Sequence, residues 1–491
     1  MRRIAKGITA KPITLAVILA ASMPLVACGG GSSSSPTPTV SGTPTPSPSP
    51  TPSPSPPPSG NTFAATGGEC DGTAGWLAIA NDGLDDTQAI QTSLQQAASK
   101  GDTLTIPAGT YNINSADGVT AVIQNKSFAI IATGAVFVAG PDVNSDLIDF
   151  DVTASSFSGN CGGNDVVDIG WTGGELNISQ ARLSGTVPQG TGVGATTTGT
   201  PVAGTTDGLS FRGINGGGTL STSPPLKVGA VTVRSLTVIG APIADANRNA
   251  YFDNPRTAPA IDSTSDTWRN AGGDSGLFIT GVRSALVEDS TFFGIRDASI
   301  YVSASPYDPT LGGNYVLRNN RFYGGFDGIS SKRGAQNIRM EGNLFVNIVR
   351  GLSLESLSGP LRTTNGQTIE RIVQPVVMKD NIFNGVQRNI QVESANDVTI
   401  SGNLIRNLGA RVSQADSPVR YSRYEGIVLE GVTNASVADN SIFGVEGARS
   451  TASTTVGITI GSHAGIAGTI ASANVDIAAS NAFSDLDSNI E

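Results

Sequence analysis

Asn320-Arg321-Phe322, Asn343-Leu344-Phe345, Asn381-Ile382-Phe383 and Asn403-Leu404-Ile405 repeat one pattern, Asn-x-[Phe/Ile]. After each of the first three phenylalanines an aliphatic residue follows seven positions on, at Ile329, Leu352 and Ile390. Asn320 and Asn343 are 23 residues apart, and Asn381 and Asn403 are 22 apart. Such a period, carried by short β-rich runs, predicts a solenoid, and this pattern suits a parallel β-helix. Equivalent positions of successive coils then stack roughly 4.8 Å apart, the spacing of neighbouring strands.

The composition agrees. Aromatic residues make up 5% of the chain and charged residues 14%, while glycine numbers 61. Turn-rich, aliphatic chains fit a solenoid better than a compact α/β enzyme. A formal charge of −10 argues against general affinity for nucleic acid. His463 is the only histidine, so a Cys/His metal site is not expected.

Arg2, Arg3 and Lys6 precede an apolar stretch from Ile13 to Ala27, which reads as an export signal over residues 1–28. The stretch is too short and too soon interrupted for a membrane span. It closes on Leu25-Val26-Ala27-Cys28, which resembles the lipobox of bacterial lipoproteins. That resemblance implies cleavage before Cys28, its diacylation, and a cell-envelope protein held to the outer membrane by that anchor. Residues 29–60 are almost exclusively Ser, Thr, Pro and Gly, an extended tether with nothing to build a core. Residues 61–491 remain for one large domain, expected to act as a monomer. Cys70 and Cys161 permit one disulfide in an exported chain, or stay as two buried thiols.

The segment Asn81-Asp82-Gly83-Leu84-Asp85-Asp86-Thr87-Gln88-Ala89-Ile90 opens a short amphipathic helix, with Asp85 or Asp86 as its cap and Ile90, Leu94 and Ala97 on one face. Leu104 to Tyr111 then reads as a strand broken at Pro107-Ala108-Gly109. A solenoid exposes apolar core at its end, and this helix is the candidate cover. The block D-G-x-x-D-D-T-x-A-I followed by I-P-A-G-T-Y resembles the entry segment of the pectate-lyase-like superfamily of right-handed β-helices. The resemblance implies an all-β, right-handed parallel β-helix with a short N-terminal capping helix. It implies no single activity, because lyases, hydrolases, epimerases and phage tailspikes share the fold. Thr205-Thr206-Asp207-Gly208 echoes one motif of the hydrolase branch, whose Gly-His-Gly has no counterpart here.

Aligning the strands that follow each corner puts Ile300 and Val302, Ile329 and Ser331, Leu352 and Leu354, Ile390 and Val392, and Ile427 and Leu429 inward. One outward column is Tyr301, Ser330, Ser353, Gln391 and Val428. The next is Ser303, Lys332, Glu355, Glu393 and Glu430, and a third, just before the strand, is Ala298, Asp327, Arg350, Arg388 and Glu425. Lys332 beside Glu355 is attractive. Three glutamates in succession repel, and such a stack needs cations or raised carboxyl pKa values. A solvated face compensated by Arg350 and Arg388 is the alternative. Extra residues break the period at 304–314, 356–375 and 408–424, all beside this face, and another excursion lies at 241–273. Loops gathered around one face of a rigid scaffold commonly build a cleft, so Tyr301, Lys332, Arg350, Glu355, Arg388 and Glu393 are expected on the floor of an extended groove for a linear polysaccharide, with Asp327 and Glu430 as further substrate contacts.

Three chemistries suit that floor. β-Elimination from a uronate needs a cation on the sugar carboxylate, a base for the C5 proton and an acid for the leaving oxygen. Lys332 is a candidate base, Tyr301 a second candidate base or acid, and Arg350 and Arg388 candidate clamps for the carboxylate. Ile329-Ser330-Ser331-Lys332, Asn343, Phe345 and Leu352-Ser353-Leu354 are similar to the catalytic stretch of β-helix lyases acting on alginate and dermatan. Lys332 matches that family's base, whereas its arginine position falls on Glu355, so Arg350 or Arg333 would substitute. Hydrolysis by a glutamate pair is the second chemistry, with Glu355 and Glu393 suiting retention and Glu355 and Glu430 nearer inversion. The third is binding without cleavage.

Smaller signals complete the reading. Asp245, Asn247, Asn249 and Asp253 place oxygen ligands at alternate positions of a calcium-type loop, although Ala250 stands where glycine is usual and Arg256 at position twelve. Calcium is therefore the single cofactor considered, against an Asn-rich turn. Arg411, Arg420 and Arg423 are candidate contacts for an acidic sugar chain. Trp171, Trp268 and Tyr424 are candidates for stacking on sugars, with Trp268 favoured and Trp171 equally suited to the core or cap.

Overall fold

The corner asparagines explain why the coil closes where it does. Asn320, Asn343, Asn381, Asn403 and Asn440 are buried to within 1% exposure. Asn343 Oδ1 accepts the backbone N–H of Asn320 at 3.0 Å and its Nδ2–H at 3.1 Å. Asn381 Oδ1 does the same for Asn343, both at 3.0 Å. The second Nδ2 hydrogen of Asn343 goes to the Leu317 carbonyl at 2.9 Å. Each amide thus spends two donors and two lone pairs inside the wall, which is what makes its burial tolerable. The ladder continues through Asn440 to Asn481. Two residues on, Phe292, Phe322, Phe345 and Phe383 stack with ring centroids 5.4, 4.7 and 4.8 Å apart.

This is a computed structural model, in which residues 73–152, 166–179, 207–213, 227–240, 275–305, 311–355, 361–362, 368–369, 372–410, 423–445, 454–465 and 468–491 are described. Their strands pair into three parallel ladders. One coil shows the pattern: Gln336–Glu341 lies on the first face, Leu344–Val346 on the second and Arg350–Leu354 on the third. The next coil repeats it with Val376–Lys379, Ile382–Asn384 and Arg388–Glu393. In the preceding coils, Thr291–Ser303 and Arg321–Lys332 run unbroken through the second and third faces. Register on the third face follows the alternation of the sequence: Ile300, Ile329, Leu352, Ile390 and Ile427 stand opposite one another, all 0% exposed. Burying each such side chain contributes about 1.5–3 kcal/mol.

Glycine precedes most of these aliphatics, in Asp327-Gly328-Ile329, Arg350-Gly351-Leu352 and Glu425-Gly426-Ile427. The reason is steric. A Cβ on Gly351 would lie 2.5 Å from a ring carbon of Phe383 and 2.5 Å from the Asn389 carbonyl. The stacked phenylalanines fill the place where a side chain would go, and the charged residue before each glycine is fixed beside that contact.

The helix Thr87–Lys100 covers the first coil, burying Ile90, Leu94 and Ala97. Asp86 stands at the N-cap position but its side chain makes no cap bond: Asp86 Oδ2 accepts the Asn112 N–H at 2.9 Å, while Asp85 Oδ1 accepts the Thr87 N–H at 3.1 Å. Gly101, at φ 75°, ends the helix with its N–H on the Ala97 carbonyl. Trp171 is a core residue, fully buried with Nε1–H donating to the Gly173 carbonyl at 2.8 Å. Tyr424 is also in the core, 2% exposed, which corrects its expected role as a sugar platform. Cys28, Cys70, Cys161, Trp268, Arg411, Arg420 and the Asp245, Asn247, Asn249 and Asp253 loop lie outside the described residues.

Candidate functional site

The third face carries the ionic columns in the predicted register. Ala298, Asp327, Arg350, Arg388 and Glu425 stand opposite one another. Ser303 pairs with Lys332 and Glu393 with Glu430. Glu355 and Glu393 follow the paired Leu354 and Val392 by one residue, which brings Lys332, Glu355, Glu393 and Glu430 into one row.

That row is largely shielded from solvent. The outward Ser330, Ser353, Gln391 and Val428 are each buried to 4% exposure or less. Lys332, Glu355 and Glu393 keep side-chain exposures of 11%, 13% and 16%. Charges on a shielded face must find partners, and they do. Lys332 Nζ pairs with Glu355 Oε2, and Arg350 Nη1 with Glu355 Oε1. Ser353 Oγ donates to Glu355 Oε1 at 3.1 Å. Arg350 holds Asp327 by two parallel bonds, Nε to Oδ1 at 2.7 Å and Nη2 to Oδ2. Arg388 Nη2 pairs with Glu425 Oε2, whose Oε1 accepts from Thr459 Oγ1 at 3.1 Å. Arg350 and Arg388 are therefore engaged by protein carboxylates, a correction to their expected role as clamps on a sugar carboxylate.

Glu393 differs from Glu355. Its carboxyl receives Gln391 Nε2 and lies 3.9 Å from His463 Nδ1. Burial, followed by repulsion from Glu355 and Glu430, raises its pKa above the ordinary glutamate value. His463, from the strand Thr454–Gly465, joins the site from a coil that the sequence pattern did not connect to it. Tyr301 stacks on Phe278 with centroids 4.8 Å apart, and burial pushes its hydroxyl up to about 12. A phenol so hard to ionise is disfavoured as a base at neutral pH and keeps the proton that an acid would donate. Arg333 sits at φ 60°, just past Lys332, and its Nη1 is buried without a hydrogen-bond partner. Arg423 pairs with Glu491.

A second cluster lies on the same face in earlier coils. Asp149, Ser210, Phe278, Tyr301 and Ser330 occupy one outward column. Arg212 pairs with Asp146 and lies 3.2 Å from Asp149 and 3.6 Å from Asp207. Its guanidinium sits 4.7 Å over the Phe278 ring. The sequence held a usable signal for this cluster: Asp207-Gly208-Leu209 has the form of Asp327-Gly328-Ile329. The missing period between those coils hid it.

Among known families, the model described as a right-handed β-helix region matches residues 248–368 and 275–477. No curated protein matches the chain in sequence. Among solved structures, the A-module of mannuronan C-5 epimerase AlgE4 from Azotobacter vinelandii is similar at 15% identity, covering 85% of this chain and 96% of that one with a TM-score of 0.43. PfbA, a surface adhesin of Streptococcus pneumoniae, is similar at 16% identity, over 85% and 92%, with a TM-score of 0.41. An exopolygalacturonase from Thermotoga maritima follows at 10% identity, over 82% and 90%, with a TM-score of 0.39. Parallel ladders stacked coil on coil and an internal asparagine ladder give this chain a parallel β-helix fold, within which residues 248–477 match the right-handed β-helix model.

Proposed function

We propose that the third face binds an acidic polysaccharide and that Glu393 and Glu355 hydrolyse its glycosidic bond with retention. One observation carries this reading: two carboxyls on adjacent coils have opposite surroundings. Glu355 holds its charge between Lys332 and Arg350, while Glu393 is pushed toward its neutral form. Paired carboxyls driven apart in this way mark an acid and its partner. Strand spacing separates them by roughly 5 Å, the distance of a retaining pair. The neutral Glu393 carboxyl donates its proton to the leaving oxygen as Glu355 attacks the anomeric carbon. The Glu393 carboxylate then takes a proton from the water that releases the sugar. Arg333, with a buried nitrogen left unbonded, is the contact for an anionic group on the sugar.

Elimination is less well supported. Lys332 Nζ is engaged by Glu355, the Tyr301 hydroxyl resists ionisation, and Arg350 is held by Asp327 and Glu355. The test is to incubate the full chain with a panel of uronate and neutral glycans, following reducing ends and near-ultraviolet absorbance together. New reducing ends without absorbance are expected. Absorbance rising with the ends would replace hydrolysis by elimination, and neither signal with any glycan would leave binding alone.

The same reading places the domain at the cell envelope through a lipid on Cys28, with residues 29–60 as tether. Replacing Cys28 by Ser is expected to abolish labelling by a radioactive fatty acid and release the protein from membranes. No step above needs calcium, and activity is expected to survive a chelator.

A further inference from the structure

The second cluster has no part in the hydrolysis just described. Asp146 and Asp149 are 5% and 9% exposed, and both converge on Arg212, as does Asp207. The guanidinium is held on its other side by the Phe278 ring, so its position is fixed before any ligand arrives. Between Asp149 and Phe278 in the same outward column stands Ser210, 0% exposed, with its Oγ unpartnered. Leu209 and Phe211 take the inward positions of that strand, so alternation turns Ser210 outward, next to Asp149 in the column. A buried hydroxyl without a partner beside crowded carboxyls calls for a ligand that supplies a donor.

We propose that Asp146, Asp149 and Ser210 form a subsite for a cationic group on the glycan, the ammonium of an amino-sugar unit. A neutral hydroxyl would satisfy Ser210 but would not relieve the repulsion between the aspartates. An ammonium does both, with three donors to share among Asp149, Asp146 and Ser210. A metal ion fits less well than an ammonium. Among the described residues, no group of three or more His, Cys, Asp or Glu is arranged to hold one. The charge balance agrees: burial and the neighbouring Asp146 push the Asp149 carboxyl up to about 8, with Arg212 opposing and Asp151 adding to the rise. Asp149 therefore resists ionisation with Arg212 as the shared cation, and a further cation from a ligand would let it hold its charge. Four strand steps separate Asp149 from Ser330 beside Lys332, roughly 19 Å, or the reach of several sugar units. The inference rests on the third face being a glycan groove, and it makes the polymer one that carries both an acidic and an amino sugar.

The test titrates hexameric glucosamine and hexameric N-acetylglucosamine into the full chain at pH 6.5, followed by calorimetry. The charged hexamer is expected to bind at least tenfold more tightly than the acetylated one. Asp149→Asn and Asp146→Asn should each remove most of that preference while leaving the affinity for the acetylated hexamer unchanged. Ser210→Ala, which removes one hydroxyl and adds no bulk, should weaken the charged hexamer severalfold even if an aspartate variant fails to fold. Equal affinities, a preference that survives all three substitutions, or no binding of the charged hexamer would each overturn the subsite. None of those results would touch the hydrolysis reading, which is decided by new reducing ends from the glycan panel.

Discussion

Glu355 and Glu393 stand in the same outward row on adjacent coils, yet one is clasped by two cations and the other is pressed toward neutrality by burial and by its glutamate neighbours. The asymmetry comes from the residues before each strand. Arg350 reaches forward to Glu355 within its own coil, whereas Arg388 turns to Glu425 and leaves Glu393 to Gln391 and His463.

Glu393→Gln is therefore expected to lower the rate of glycosidic cleavage by about 10²–10⁴, the range of a general acid. Because the raised pKa keeps Glu393 protonated to higher pH, activity should persist above the range of an ordinary glutamate and fall as pH rises through that raised value. Initial rates of reducing-end formation against pH check both statements, with the alkaline limb lost in the variant's residual activity. Glu355→Gln should fall as far, and azide should rescue a Glu355→Gly variant if the carboxylate is the nucleophile.

The Asp327–Arg350 pair is 1% and 6% exposed at its side chains. Asp327→Ala leaves a buried guanidinium short of a partner and is expected to destabilise the fold by about 3–5 kcal/mol. Denaturant titration measures it. Asp327→Leu with Arg350→Met should recover much of that loss while abolishing cleavage, since Glu355 would lose one of its two cations.

Asn343→Ala removes the acceptor for two Asn320 donors and the donor to Leu317. Loss of about 1–3 kcal/mol is expected from the stranded buried groups. Arg339→Ala, at an exposed pair with Glu341, should stay within about 0.5 kcal/mol. The two variants together separate the ladder from general sensitivity of the coil.

Gly351→Val drives two methyl groups toward the Phe383 ring and the Asn389 carbonyl. Overpacking of this kind destabilises by about 1–3 kcal/mol. Since Arg350 is adjacent, cleavage should fall beyond what the lost folded fraction explains, which activity per folded molecule would reveal.

Burial and the neighbouring Asp146 push the Asp149 carboxyl up to about 8, well above the ordinary aspartate range. The folded state then holds a proton that the unfolded chain releases, so its contribution is present in full below that ordinary range. That contribution is lost as pH rises through the folded-state value and is level above it. Thermal unfolding followed between pH 4 and 9 should show wild-type stability declining over this window and a flatter profile in Asp149→Asn.

The repeat of Asn-x-Phe with its trailing aliphatic determined the coil, because residues of period two and corners of fixed length leave a chain few ways to close. It also determined the register that lines up Lys332, Glu355, Glu393 and Glu430, since a one-residue slip would turn Ile329, Leu352 and Ile390 out to solvent. What the sequence could not decide is partner choice among charges. Arg350 had Asp327, Glu355 and a substrate as equal prospects on paper, and side-chain reach across coils settled it for two protein carboxylates at once. Nor could local pattern bring His463 beside Glu393 or Asp146 beside Arg212, because long excursions interrupt the count of coils between them. Tertiary structure also decided the shielding of the face, and with it which carboxyl keeps its proton: desolvation depends on everything packed around a group, and no spacing along the chain records that.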